Sequence, residues 1–238
     1  MNFNTILLGL AVLTFTGCAT KTQQTDHTVK VVGEMKNVMW KGQLQGNIQL
    51  DTIADKTNLY GLGPVEYLTG EILILDGKSY KSTVTSDTTM LVEETYNLKA
   101  PFFGYANISK WKEQNLPENI QTIQELEQYL DKETKASQRP FMFKLSGAVE
   151  QATIHIVNLP KGSKVSSPDQ AHEGQINYKL ENEQAEIVGF FSTEHKAIFT
   201  HHDTYLHMHL ITADRKKMGH LDDVLFQKGA VKLYLPAE

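Results

Sequence analysis

The segment Thr204 to Ile211 constrains this chain most. It reads Thr-Tyr-Leu-His-Met-His-Leu-Ile. Side chains alternate between the two faces of a strand, so His207 and His209 share one face while Leu206, Met208 and Leu210 take the other. Asp214 to Gly219 forms a charged turn that ends in glycine. His220 follows where a returning antiparallel strand can carry it back beside the first two. Three imidazoles so placed make a facial three-nitrogen site. Such a site leaves a fourth position open, the arrangement of catalytic rather than structural zinc. The chain's single cysteine, Cys18, lies far from this region, so a metal in the body must use nitrogen and oxygen ligands. That favours zinc over iron, manganese, nickel or copper. The chain has nine histidines. On spacing alone the same pattern also reads as a solvated, His-rich neighbourhood with His195, His201 and His202.

The rest of the body is patterned mostly as short strands. Gly70 to Leu75 is an apolar strand, Asp76-Gly77 suits a two-residue hairpin turn, and Lys78 to Lys81 is the returning strand. Thr122-Ile123-Gln124-Glu125 is a capping box. Ile123, Leu126 and Leu130 then line one face of a short amphipathic helix. Phe141 to Leu145, Thr153 to Val157, Glu186 to Phe191 and Gly229 to Leu235 read as further strands. The expected class is α+β and strand-dominated, with mixed or antiparallel sheets, one or two short helices, and two sheets packed together.

The N-terminus carries an address. Ile6 to Phe15 is apolar, but shorter than the roughly 20 residues needed to span a bilayer. It has the length of a signal-peptide core and ends at Phe15-Thr16-Gly17-Cys18, which resembles a bacterial lipobox. The expected organisation is a signal peptide over residues 1–18, a polar tether over 19–28 and one folded unit over 29–238. Cys18 is the expected lipidation site, and the body is expected to be exported and membrane-anchored. An ordinary cleaved signal peptide gives the same side of the membrane. The formal net charge is −5 with scattered Lys and Arg, which argues against nucleic acid as the main partner.

The histidine motif and several other blocks, collinear from about Met35 to Leu235, resemble the alpha-acetolactate decarboxylase family. Leu44-Gln45-Gly46 and Gly61-Leu62-Gly63 resemble its early stretch. Leu68-Thr69-Gly70-Glu71-Ile72 through Asp76-Gly77 resembles its Leu-x-Gly-Glu strand and turn. Pro101-Phe102-Phe103, Phe143 to Gly147 and Ile187-Val188-Gly189-Phe190 follow in order. Last come His207-Met208-His209 and Gly219-His220-Leu221-Asp222. The resemblance implies that His207, His209 and His220 bind zinc. It implies that Glu71 contacts the metal's ligand or moves a proton. Lys144 stands where the family has an arginine, and implies a cation that orients a carboxylate. Three departures accompany it. The next strand, Ile154 to Pro160, has only His155 where the family has a second arginine. Pro64 replaces a threonine. The family's acidic C-terminal tail is not matched up to Glu238.

The activity implied is conversion of 2-acetolactate, or another 2-hydroxy-3-keto acid, to acetoin or its analogue and carbon dioxide. The metal would chelate the substrate's hydroxyl and ketone oxygens and act as Lewis acid. No organic cofactor is implied, and a homo-oligomer is compatible with the reading. A second class stays open: a metal- or small-ligand-binding envelope lipoprotein on the same fold.

Overall fold

The computed structural model describes residues 27–135, 137–196, 198, 200 and 204–237. Cys18 and the expected signal peptide lie outside them. Among the described residues thirteen strands occur in the order β1 (Lys30–Val32), β2 (Ile48–Gln49), β3 (Leu59–Pro64), β4 (Glu71–Leu75), β5 (Lys78–Val84), β6 (Met90–Glu94), β7 (Lys99–Ala100), β8 (Phe103–Asn107), β9 (Trp111–Asn115), β10 (Phe141–Ile156), β11 (Ile176–Phe191), β12 (Leu206–Thr212) and β13 (Met218–Pro236). Three helices are α1 (Met35–Lys41), α2 (Ile123–Glu133) and α3 (Pro168–Ala171). The strand-dominated α+β expectation holds.

All pairings between these strands are antiparallel, in two main sheets and one small ladder. The first sheet has the order β1-β8-β3-β4-β5-β6, the second β10-β11-β12-β13-β9, and β2 pairs with β7. In the second sheet β10 pairs with β13 as well as β11, so β10, β11, β12 and β13 close on themselves. The hairpin turn lies where Asp76-Gly77 predicts it, both residues having positive φ (49° and 76°), the signature of a two-residue turn. The capping box of α2 is fully formed: Thr122 Oγ1 accepts from the Glu125 N–H, and the Glu125 carboxylate accepts from the Thr122 N–H.

Three strands are longer than the alternation suggests. Thr153 to Ile156 continues the strand begun at Phe141, with Val157 just beyond its end, because irregular steps near Gly147 and Val149 keep the ladder going through a stretch whose apolar period breaks. Polar residues between Ile176 and Gln184 hide the first half of β11, whose Tyr178 and Leu180 are nonetheless buried. Gly229 lies within β13 rather than at its start.

The functional region lies where the two sheets meet. Leu62, Leu73, Met142, Val188, Phe190, Ile211 and Met218 form a shared, fully buried layer. Each such side chain contributes roughly 1.5–3 kcal/mol on burial. Seven of them outweigh the several kcal/mol that one buried ionisable group costs. Glu71 is on the same face of β4 as Leu73 and Leu75 and enters this layer 3% exposed. The opposite face of the second sheet packs on α2 through Leu145, Ile187, Leu210 and Leu221. A separate small core, with Met35, Val38, Met39, Leu68, Phe102 and Val157, holds α1 and α3 together at the sheet ends.

Candidate metal centre

β12 delivers two of the three histidines as its alternation requires. His207 and His209 share a face, while Leu206, Met208 and Leu210 enter the α2-side core. The turn after Thr212 returns the chain into β13, and His220 pairs in register with His209. Ring centroids of His207 and His209 lie 5.2 Å apart, His207 and His220 5.0 Å, and His209 and His220 5.5 Å. One ligand nitrogen from each of the three falls within 4.8 Å of the others. Gly219 makes this approach possible: a Cβ there would sit 2.4 Å from the His155 carbonyl oxygen on β10.

The donor set fits a cation on physical grounds. His209 is 0% exposed, and neither ring nitrogen has a hydrogen-bond partner among the described residues. The Ile72 backbone lies close enough to favour the protonated ring without reaching hydrogen-bond geometry. Buried polar atoms left unpaired are costly, and a bound cation removes that cost. Burial, then the neighbouring His207 and His155, hold the His209 pKa well below the usual imidazole value. The ring is therefore neutral at pH 7, the state a metal requires.

Glu71 lies at the heart of this cluster. Its Oε2 is 3.6 Å from His209 Nε2 and its Oε1 4.0 Å from His155 Nε2. Its Oε1 accepts from the Val157 N–H at 3.2 Å. Burial pushes its pKa well above the usual carboxylate range, against the Val157 hydrogen bond and with a small addition from Asp222. A carboxyl so placed holds its proton to higher pH than an exposed one and can deliver it within the pocket.

His155 enters the site from β10. It pairs in register with His220, and the two rings stack with centroids 4.6 Å apart. Its Nδ1 meets both oxygens of Asp222, at 2.7 and 2.9 Å. The pairing explains Asp222's position. Thr153 faces Asp223 while Ile154 faces Leu221, which leaves Asp222 as the extra residue of a bulge. Bulges re-aim side chains in this way. In the sequence only the resemblance marked Asp222, and nothing marked its pairing with His155 or the approach of His172 (6.0 Å between ring centroids).

Lys144 lies elsewhere. Its register partners are Val188 and Tyr234, and Val188 in turn faces His209. It is thus two strands from His209, about 10 Å at the usual strand spacing, and 11 residues along β10 from His155. Its Nζ rests 4.5 Å from the Tyr234 ring centre, and it lines a different cavity with Glu186 and Arg215. The pocket over the histidines is walled by Met35, Met39, Trp40, Leu68, Phe102 and Val157 and contains Glu71, His155, His172, His207 and His220. Among the described residues no lysine or arginine lines it. Pro64 lines it too, directly opposite Glu71 in register.

The profile of the alpha-acetolactate decarboxylase family matches residues 32–236. Curated alpha-acetolactate decarboxylases from two Lactococcus lactis strains, subsp. lactis IL1403 and subsp. cremoris MG1363, are each 24% identical over 198 residues, covering 81% of this chain and 78% of theirs. The crystal structure of alpha-acetolactate decarboxylase from Bacillus subtilis strain 168 superposes with a TM-score of 0.72 at 18% identity, covering 88% of this chain and 86% of that one. A Staphylococcus aureus protein of unknown function, described as similar to alpha-acetolactate decarboxylase, gives the same score and coverages at 20% identity.

Proposed function

This chain belongs to the alpha-acetolactate decarboxylase family, and from that premise we propose that it is a metal-dependent carboxy-lyase acting on 2-acetolactate or a closely related 2-hydroxy-3-keto acid. The observation that carries the reading is the convergence of His207, His209 and His220, with both nitrogens of buried His209 unpartnered, on a buried carboxyl whose pKa is raised. Those three histidines would hold the metal, and the nitrogen donor set suits zinc. When bound, the metal would serve as the Lewis acid that draws electrons toward the substrate ketone as carbon dioxide leaves.

The protein's own groups supply the rest. Glu71 holds a proton at Oε1 or Oε2 beside the cluster and gives it to the carbon that lost carbon dioxide. The apolar wall formed by Met35, Met39, Phe102 and Val157 excludes water and strengthens every polar interaction inside. Among the described residues no lysine or arginine lines this pocket, so orientation of the substrate carboxylate falls to the imidazoles of His155 and His172. This assigns Lys144 no part in the chemistry.

We also propose, from the apolar run Ile6 to Phe15 and the Phe15-Thr16-Gly17-Cys18 segment after it, that the protein lies outside the cytoplasm, joined to a membrane through lipid on Cys18. Loss of radiolabelled fatty acid in Cys18→Ser would bear this out; unchanged labelling would refute it. The activity is tested by measuring acetoin and carbon dioxide from racemic acetolactate, with metal content, on the zinc-loaded protein. Turnover that disappears in Glu71→Gln while zinc stays bound is the expected result. Zinc bound with no turnover of any 2-hydroxy-3-keto acid would overturn the enzymatic reading and leave a metal-binding lipoprotein.

A further inference from the structure

His155 and Asp222 form a second cluster with His220, which the triad also uses. One ligand atom from each of His155, His220 and Asp222 lies within 4.8 Å of the other two. Solvent access falls steadily across the two sets: the Asp222 side chain is 33% exposed, that of His155 8%, and that of His209 0%. The His220 ring lies against His155, His207 and His209, and the residue borders two spaces. It lines the apolar pocket over the triad, and it lines a second, polar cleft beside α2 together with Asp222, Gln124 and Glu127.

We propose that His155, His220 and Asp222 form a second, weaker divalent-cation site through which the ion reaches the buried triad. The proposal rests on reading His207, His209 and His220 as cation ligands. A hydrated dication cannot cross the apolar pocket to His209 without losing its water at large cost. Asp222 lines the polar cleft and offers a carboxylate oxygen there, with ligand nitrogens of His155 and His220 within 4.8 Å of it, so water is replaced one ligand at a time. The charge of Asp222 also concentrates cations at that mouth. His220, common to both sets, then carries the ion inward to the fully buried ring of His209. The outer site is the weaker because it shares His220 with the triad and because one of its ligands, Asp222, stays in contact with solvent.

The test is titration of the metal-free protein with Zn²⁺ and with Co²⁺, followed by calorimetry and cobalt absorption, and stopped-flow measurement of loading. The wild-type protein is expected to take up two equivalents per chain, one tight and one weaker. Asp222→Asn should remove the weaker equivalent, keep the tight one, and slow loading by about tenfold or more, within the range a lost focusing charge produces. His209→Leu should remove the tight equivalent and keep the weaker. A single tight equivalent in the wild type, or two equivalents with unchanged loading in Asp222→Asn, overturns the proposal and leaves the triad standing. Loss of both equivalents in His209→Leu also overturns it. No tight equivalent at all sinks the metal reading of the triad itself.

Discussion

Replacing His209 with leucine, an apolar side chain of similar volume, should have opposite effects on the metal-free and metal-loaded protein. In the metal-free protein two buried ring nitrogens lack hydrogen bonds. Each unsatisfied buried group costs about 1–3 kcal/mol. The nearby Glu71 oxygen, at 3.6 Å, and the Ile72 backbone recover part of this, so the net gain from leucine is about 2 kcal/mol. For a domain of this size that raises Tm by about 4–8 °C. In the loaded protein the sign reverses. Zinc held free at about a thousand times its Kd stabilises the wild type by ~4.1 kcal/mol, and leucine forfeits that. The loaded wild type should therefore exceed the variant by about 2 kcal/mol. Thermal melts of both proteins, with a chelator and with excess zinc, read the four values. His209→Met gives a second packing solution. If both substitutions destabilise the metal-free protein, the nitrogens of His209 are already satisfied, and the argument that this pocket is built for a cation fails.

Other expectations follow from the same geometry. Gly219→Ala places a Cβ against the His155 carbonyl and forces β10 and β13 apart; it should cost about 1–3 kcal/mol and weaken zinc binding, read by denaturation and metal competition. Burial raises the Glu71 pKa above the value of 4.5 it has when exposed. The folded metal-free protein therefore binds this proton more tightly than the unfolded chain, and stability falls as pH rises from about 4.5 through the folded pKa. Glu71→Gln should flatten that slope and be the more stable protein at pH 7; an unchanged slope would show that Glu71 is not the group responsible. Lys144→Ala should leave kcat/KM near the wild-type value, because Lys144 rests on Tyr234 in a separate cavity; a loss of the size seen with Glu71→Gln would place it in the chemistry after all.

Local pattern alone was enough for the features written in short-range chemistry. The period of two through His207 and His209 sets their common face, because strand side chains alternate whatever lies around them. Asp76-Gly77 and the Thr122–Glu125 box declare a turn and a helix start through residues four or fewer positions apart. Glu71 was marked only by resemblance, since nothing local to it says that a second sheet will cover it.

The tertiary structure decided the remainder. Whether Lys144 or His155 reaches the histidines depends on where each falls along a strand of 16 residues paired on both sides. Three irregular steps interrupt that register, and each changes which side chains lie opposite one another. Asp222 meets His155 because a bulge adds one residue to β13, a feature of the pairing between strands 67 positions apart. The depth of Glu71 and His209, and with it their shifted protonation, comes from packing one sheet on another. A sequence fixes which face a side chain takes on its own strand; which groups meet on that face is a property of the packed and registered sheets.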